Sequence, residues 1–150
     1  ASLRAAQTRL VDLTGWACLQ FDERKLPADS YDPKAVNKLV QEIVDALADD
    51  LATPKAMSIL SALVDATPGV PVKHHEHFIN TLEKLDDLFG LELTVQKDVD
   101  QEVKDLIAER ELAKKANTFK KADDIRAQLL KQGVELLDTP YGTRWKRKTL

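Results

Sequence analysis

Residues 114–148, KKANTFKKADDIRAQLLKQGVELLDTPYGTRWKRK, decide the fold, because they read in order as helix, glycine stop, strand, tight turn and second strand. Phe119, Ala122, Ile125, Leu129 and Leu130 recur at helical spacing, which predicts an amphipathic helix with one buried stripe. Gly133 ends it, since a glycine just past the last periodic residue, after Lys131, reaches the left-handed conformation without steric cost. Val134 and Leu136 lead into Thr139-Pro140-Tyr141-Gly142, a turn in which proline presets φ and glycine accepts a positive one. Thr143 to Arg147 then answers as the return strand.

Charge separates this end from the rest of the chain. Residues 110–148 carry eleven Lys/Arg against five Asp/Glu, a net of +6, whereas residues 1–109 hold eleven basic and twenty acidic residues. A cationic segment with Phe119, Tyr141 and Trp145 combines phosphate attraction with flat surfaces for stacking unpaired bases, which suits single-stranded or loop RNA. Asp123 and Asp138 offer acceptors for base amino and imino groups. The competing reading is a basic hairpin that is simply a solvated edge, with Phe119 in the core.

Working outward, 150 residues suffice for one domain or for a bundle with a small appended subdomain. With 31% charged and 5% aromatic residues the composition fits a soluble, helix-rich protein. The longest apolar runs fall well short of the ~20 residues that cross a bilayer, and no signal-peptide pattern opens the chain. A cytoplasmic location is therefore expected. The single cysteine, Cys18, excludes an internal disulfide and reads as a small buried apolar residue.

Leu3, Ala6, Leu10, Leu13, Ala17 and Phe21 predict a first helix over 3–21, weakened slightly by Gly15. The chain starts in mid-pattern, without a cap or an initiating methionine, and is expected to be a piece of something longer. Residues 25–33 read as a linker whose Asp32 caps a second helix beginning at Pro33 and carrying Val36, Leu39, Val40, Ile43, Val44 and Leu47. Asp49 and Asp50 follow as cap and solvent residues rather than as an acid–base pair. Thr53-Pro54 opens a third helix, which stops near Thr67-Pro68-Gly69. A fourth helix with Phe78, Leu82, Leu85, Leu88 and Phe89 runs to Gly90, and residues 91–97 form a link. A fifth, capped by Asp98, carries Val99, Val103, Leu106, Ile107, Leu112 and Ala113, with Arg110 and Lys114 on its remaining face, and ends near Asn117. The fold class is mainly α: a helical bundle over 1–97, then over 98–150 a fifth bundle helix and a small α/β module of helix plus β-hairpin.

The run Lys73-His74-His75-Glu76-His77 invites a metal reading, but adjacent histidines diverge by about 100° on a helix and the i, i+4 pair of helical zinc sites is missing. The histidines are read as surface, and no metal or cofactor site is assigned to this chain. No glycine-rich phosphate loop and no Ser/His/Asp or Cys/His set stands out, so no catalytic residue is assigned either.

The run ADDIRAQLLKQGVELLDTPYGTRWKRK resembles the C-terminus of bacterial cysteinyl-tRNA synthetases, where an Ala-Asp-x-x-Arg helix leads into Gly-(Ile/Val)-x-Leu-x-Asp-x-x-x-Gly-Thr-x-Trp. Upstream, Ala46-Leu47-Ala48-Asp49-Asp50-Leu51-Ala52-Thr53-Pro54-Lys55-Ala56 resembles that family's Ala-Leu-x-Asp-Asp-(Leu/Phe)-(Asn/Asp)-Thr-Pro-x-Ala. The resemblance implies an anticodon-recognition region whose partners are the anticodon stem-loop of the cysteine tRNA, tRNA(Cys), and the enzyme's own catalytic domain. By the same resemblance Phe119 stands where a tryptophan stacks on a base, Asp123 and Asp138 where carboxylates read bases, and Lys114 where an arginine contacts RNA, with Arg126 and Trp145 completing the surface. Phe119 lacks the indole donor and Lys114 the bidentate fork. The family's nucleotide-binding signatures and cysteine-selective zinc site do not occur here, so ATP and zinc are implied for a catalytic domain outside these residues, and this stretch alone is not expected to aminoacylate. Two other readings stay open: a free-standing tRNA-binding paralogue, and a module whose basic end meets an acidic partner protein.

Overall fold

The computed structural model describes residues 3–49 and 53–148. Among them lie six α-helices and one two-stranded antiparallel sheet: α1 Leu3–Ala17, α2 Pro33–Ala48, α3 Thr53–Ala66, α4 His75–Phe89, α5 Gln101–Lys115, α6 Phe119–Lys131, β1 Val134–Thr139 and β2 Gly142–Arg147. The chain divides into two compact units, residues 19–96 and residues 1–18 with 97–150.

In the unit of residues 19–96, α2 starts where Asp32 accepts a hydrogen bond from the Lys34 backbone N–H at 3.0 Å, with Pro33 in the first turn. Its stripe Val36, Val40, Ile43 and Ala46 is buried and α2 packs on α3, which contributes Ala56, Leu60 and Leu63. Thr67 closes α3 by donating its hydroxyl to the Leu63 carbonyl at 2.8 Å. Helix α4 buries Phe78, Leu82 and Leu85 and stops at Gly90, whose φ of 66° is left-handed. The Asp86 carboxylate then gathers the Leu93 N–H at 2.6 Å and the Thr94 N–H and hydroxyl at 3.0 and 2.9 Å, which pins Leu93 in the core. Each fully buried leucine here contributes about 1.5–3 kcal/mol. Asp50 falls outside the described residues, as do the two residues before Thr53, so the capping expected there is not described.

The second unit joins both ends of the sequence. Val134 and Leu136 of β1 and Trp145 of β2, with Leu136 paired to Trp145, cover a small core of Val99, Val103, Ile125 and Leu129, with Leu106 and Ile107 beside it. Residues alternate faces along a strand, so Arg144 and Lys146 project from the other side of the hairpin, and α1 covers that side. Arg144 Nη2 donates to the Gly15 carbonyl at 3.2 Å and Lys146 Nζ to Asp12 at 3.1 Å. The N-terminal helix, placed with the bundle by its sequence position, thus belongs to the unit of the hairpin.

Several local expectations change. Only the C-terminal half of the α1 stripe is buried, at Leu13, Trp16 and Ala17, while Leu3 and Leu10 are exposed. Helix α5 begins after Asp100, not at Asp98; Asp98 instead accepts from the Val99 N–H at 2.7 Å and pairs with Lys104 at 2.6 Å. Leu112 is 66% exposed, and Arg110, placed on the solvent face, is 4% exposed. Asn117 ends α5 in a left-handed conformation, φ 58°. Its N–H reaches the Lys114 carbonyl at 3.1 Å and the Thr118 N–H the Ala113 carbonyl at 2.8 Å, the paired closure of a Schellman motif. Cys18 is buried, and burial pushes its thiol up to about 11 against the opposing charges of Arg147 and Arg144.

Candidate nucleic-acid interface

The geometry centres on a residue the sequence reading left out. Arg110 lies one and two turns on from Ile107 and Val103, along the inward stripe of α5, so its guanidinium enters the protein. There it meets Asp138 in a fork: Nη1 to Oδ1 at 2.9 Å and Nη2 to Oδ2 at 3.0 Å. Thr143, the cross-strand partner of Asp138, accepts from Arg110 Nη1 at 3.2 Å and donates to Asp138 Oδ1 at 3.2 Å. Glu111 accepts from the Thr143 backbone N–H at 3.0 Å, fastening the start of β2 to α5. Lys114 adds its ammonium to Asp138 Oδ2 at 3.0 Å. The Arg110 hydrogen bonds hold the Asp138 carboxyl well below the usual carboxylate range, against its partial burial and with help from Lys114. In return Asp138 raises the Arg110 pKa, with smaller contributions from the charges of Asp123 and Glu111. The guanidinium Nε is buried without a hydrogen-bond partner, so Arg110 depends on its two terminal nitrogens.

A cleft of about 310 Å³ opens beside this network, lined by Glu111, Lys114, Lys115, Asp138, Thr139, Gly142 and Thr143. The turn that borders it is shaped by Thr139, whose hydroxyl donates to the Gly142 carbonyl at 2.7 Å and accepts from the Tyr141 N–H at 3.2 Å. Gly142 has φ 112°, as the turn requires.

The six residues proposed from sequence therefore fall into separate places. Lys114 and Asp138 are in direct contact on the cleft, and Asp123 acts electrostatically on the same Arg110. Phe119, Asp123 and Arg126 are exposed on α6 at spacings of four and three, which puts them on one side of the helix. Phe119 opens α6 and is 58% exposed, so it leaves the buried stripe of Ala122, Ile125 and Leu129, as does the exposed Leu130. The Trp145 ring is partly buried and packs against the small core, and the Arg147 guanidinium lies 5.7 Å over it. The hairpin cations are likewise engaged internally, since Arg147 Nη2 donates to the Lys97 and Asp98 carbonyls at 3.0 Å, alongside Arg144 and Lys146 on α1. Arg110 and Thr143 were missed. The available signal was a cation at a position where helical spacing called for an apolar side chain.

In the other unit the histidines are not a solvated surface cluster but a half-buried clasp. His77 Nδ1 accepts from the Tyr31 hydroxyl at 2.7 Å and its Nε2 donates to Asn37 Oδ1 at 2.8 Å, the arrangement of a neutral ring. His75 Nε2 lies 3.0 and 3.1 Å from the Val70 and Asp22 carbonyls, and His74 stacks on Tyr31 at 5.4 Å. Among the described residues no three His, Cys, Asp or Glu side chains converge as metal ligands. No described helix is long and apolar enough to cross a membrane.

No family model matches the chain. Individual proteins do. It is 37% identical over 130 residues to a cysteine–tRNA ligase of Hydrogenovibrio crunogenus, which covers 81% of this chain and 28% of that protein. The corresponding protein of Lachnospira eligens is 33% identical over 132 residues, 84% of this chain and 27% of its own length, and that of Ehrlichia canis 38% identical over 119 residues, 74% and 26%. The chain spans about a quarter of the length of the curated relatives it matches. With both motifs in order and the match running through most of its length, the chain belongs to the cysteine–tRNA ligase family, in which it corresponds to the C-terminal region.

Proposed function

We propose that this chain recognises tRNA, and that the unit of residues 1–18 and 97–150 receives the anticodon loop. The observation that carries the reading is the position of Phe119, a large aromatic left 58% exposed at the start of α6, with Asp123 one turn further on the same side. An exposed ring tolerant of base identity beside a carboxylate that accepts base N–H donors is the pairing a splayed loop nucleotide needs. Lys114 and the exposed Lys115, Lys120, Lys121 and Arg126 supply phosphate attraction. In this reading the bundle lies along the anticodon stem. Ligation of cysteine to the tRNA, with the ATP and zinc it calls on, belongs to the part of the ligases that this chain does not span.

Titration of the chain with a labelled anticodon stem-loop carrying the cysteine anticodon, against the same stem with a swapped anticodon, tests the reading. Tighter binding of the first is expected. Equal binding of both, or binding of neither, overturns it and leaves a protein-interaction module as the better account.

A further inference from the structure

Asp138 holds four donors: Arg110 Nη1 and Thr143 Oγ1 on Oδ1, and Arg110 Nη2 and Lys114 Nζ on Oδ2. A carboxylate offers about four acceptor positions, so this one is full. Taken as it stands, it has no position left for a base.

The four donors are not equally fixed. Arg110 is 4% exposed and Thr143 9%, the latter paired across the strand to Asp138 itself, so neither leaves without dismantling the hairpin contact with α5. Lys114 sits in the last turn of α5 with its side chain 37% exposed, on a flexible four-carbon stem at the edge of the cleft. Its contact with Asp138 is a single ammonium–carboxylate pair open to solvent on both sides, of the kind worth under about 1 kcal/mol. A nucleic-acid phosphate attracts the same ammonium.

We propose that Lys114 is a removable cap on Asp138. A backbone phosphate draws the ammonium away and so vacates one acceptor position on Oδ2, which then takes a single N–H donor from an unpaired base in the cleft. Arg110 and Thr143 are the positioning residues that keep the carboxylate aimed and ionised while this happens. Phosphate binding and base reading are thereby coupled at one atom. The proposal rests on the RNA reading above and assigns to two residues of that site opposite duties, one to stay and one to leave.

The test compares the wild-type chain with Lys114→Met, Asp138→Asn and Arg110→Lys, measuring Kd for the cysteine-anticodon stem-loop and for single-base anticodon variants across a salt series. Lys114→Met is expected to weaken all the RNAs together and to lower the salt slope by about one, while the selectivity ratio is held or widened. Asp138→Asn and Arg110→Lys are expected to collapse the ratio roughly tenfold and leave the salt slope in place. If Lys114→Met collapses the ratio as Asp138→Asn does, Lys114 reads the base itself and the cap is wrong, though RNA recognition stands. If Asp138→Asn keeps full selectivity, the cap is equally wrong. A wild-type chain with no selectivity removes both the cap and the function it rests on. Should either of the other variants fail to fold, the two readouts of Lys114→Met decide alone.

Discussion

A Cβ added at Gly15 of α1 would stand 2.8 Å from the Cβ of Lys146 on β2. Real Cβ atoms do not approach so closely, and the atom met belongs to the fixed root of the lysine rather than its flexible end. Glycine inside a helix ordinarily costs about 0.5–1 kcal/mol relative to alanine, so Gly→Ala there usually stabilises. Here the sign reverses. Gly15→Ala is expected to destabilise the unit of residues 1–18 and 97–150 by about 1–3 kcal/mol through overpacking, seen as a lower urea midpoint. A raised midpoint would show that α1 does not lie against β2.

Removing Asp138 strands a guanidinium that is almost wholly buried. Asp138→Ala should cost about 2 kcal/mol, less than the ~3–5 of a pair buried on both sides, because water screens the carboxylate. Lys114→Ala should cost under about 1 kcal/mol. Chemical denaturation of the two variants separates the roles, and equal losses would contradict the anchoring by Arg110.

Burial, with the charges of His74 and Lys84, lowers the His77 pKa below 6.5 in the folded chain. The unfolded chain therefore binds more protons than the folded one between the lowered pKa and about 6.5, and stability falls as pH drops through that window. Above it the neutral ring accepts from Tyr31, whose own hydroxyl burial pushes up to about 12, so that it remains a donor. His77→Asn should reduce the fall in unfolding midpoint between pH 7.5 and pH 5 relative to wild type. An unchanged fall would show that His77 is not its source.

Phe119 is exposed, so Phe119→Ala should change stability by no more than about 0.5 kcal/mol. Loss of a stacking surface should weaken RNA binding by roughly 1–3 kcal/mol, about equally for cognate and swapped anticodons. Circular dichroism and the same RNA titration read the two effects separately. A drop confined to the cognate RNA would mean that the ring discriminates rather than stacks.

Local signals were legible in the sequence because they are local in cause. The Asp32-Pro33 cap, the Gly90 and Gly133 stops and the Thr139–Gly142 turn each depend on a few adjacent residues, and each lies where spacing and residue type put it. What periodicity missed was set at long range. Arg110 interrupts an apolar stripe for the sake of a carboxylate 28 residues away, and Lys146 meets an aspartate 134 residues away. Leu112 and Phe119 kept the helical spacing of core residues yet face water, since the hairpin fills only part of the α5–α6 surface. The set of donors around Asp138 is the sharpest instance. Nothing in residues 114–148 announces that its acceptors are already taken.

The joining of α1 to the hairpin also bears on how the chain assembles. The Arg144 contact with Gly15 closes a loop of 129 residues, whereas β1 meets β2 across two residues and α5 meets α6 across three. Closure entropy grows with loop length, and contacts of high sequence separation form slowly. The α5–α6–hairpin segment should collapse early with one face of its two-stranded sheet bare, and α1 should dock last, at the rate-limiting step. A polypeptide starting at residue 97 would stop at that half-covered intermediate, while in the whole chain substitutions at the α1–β2 contact should speed unfolding and leave early collapse untouched.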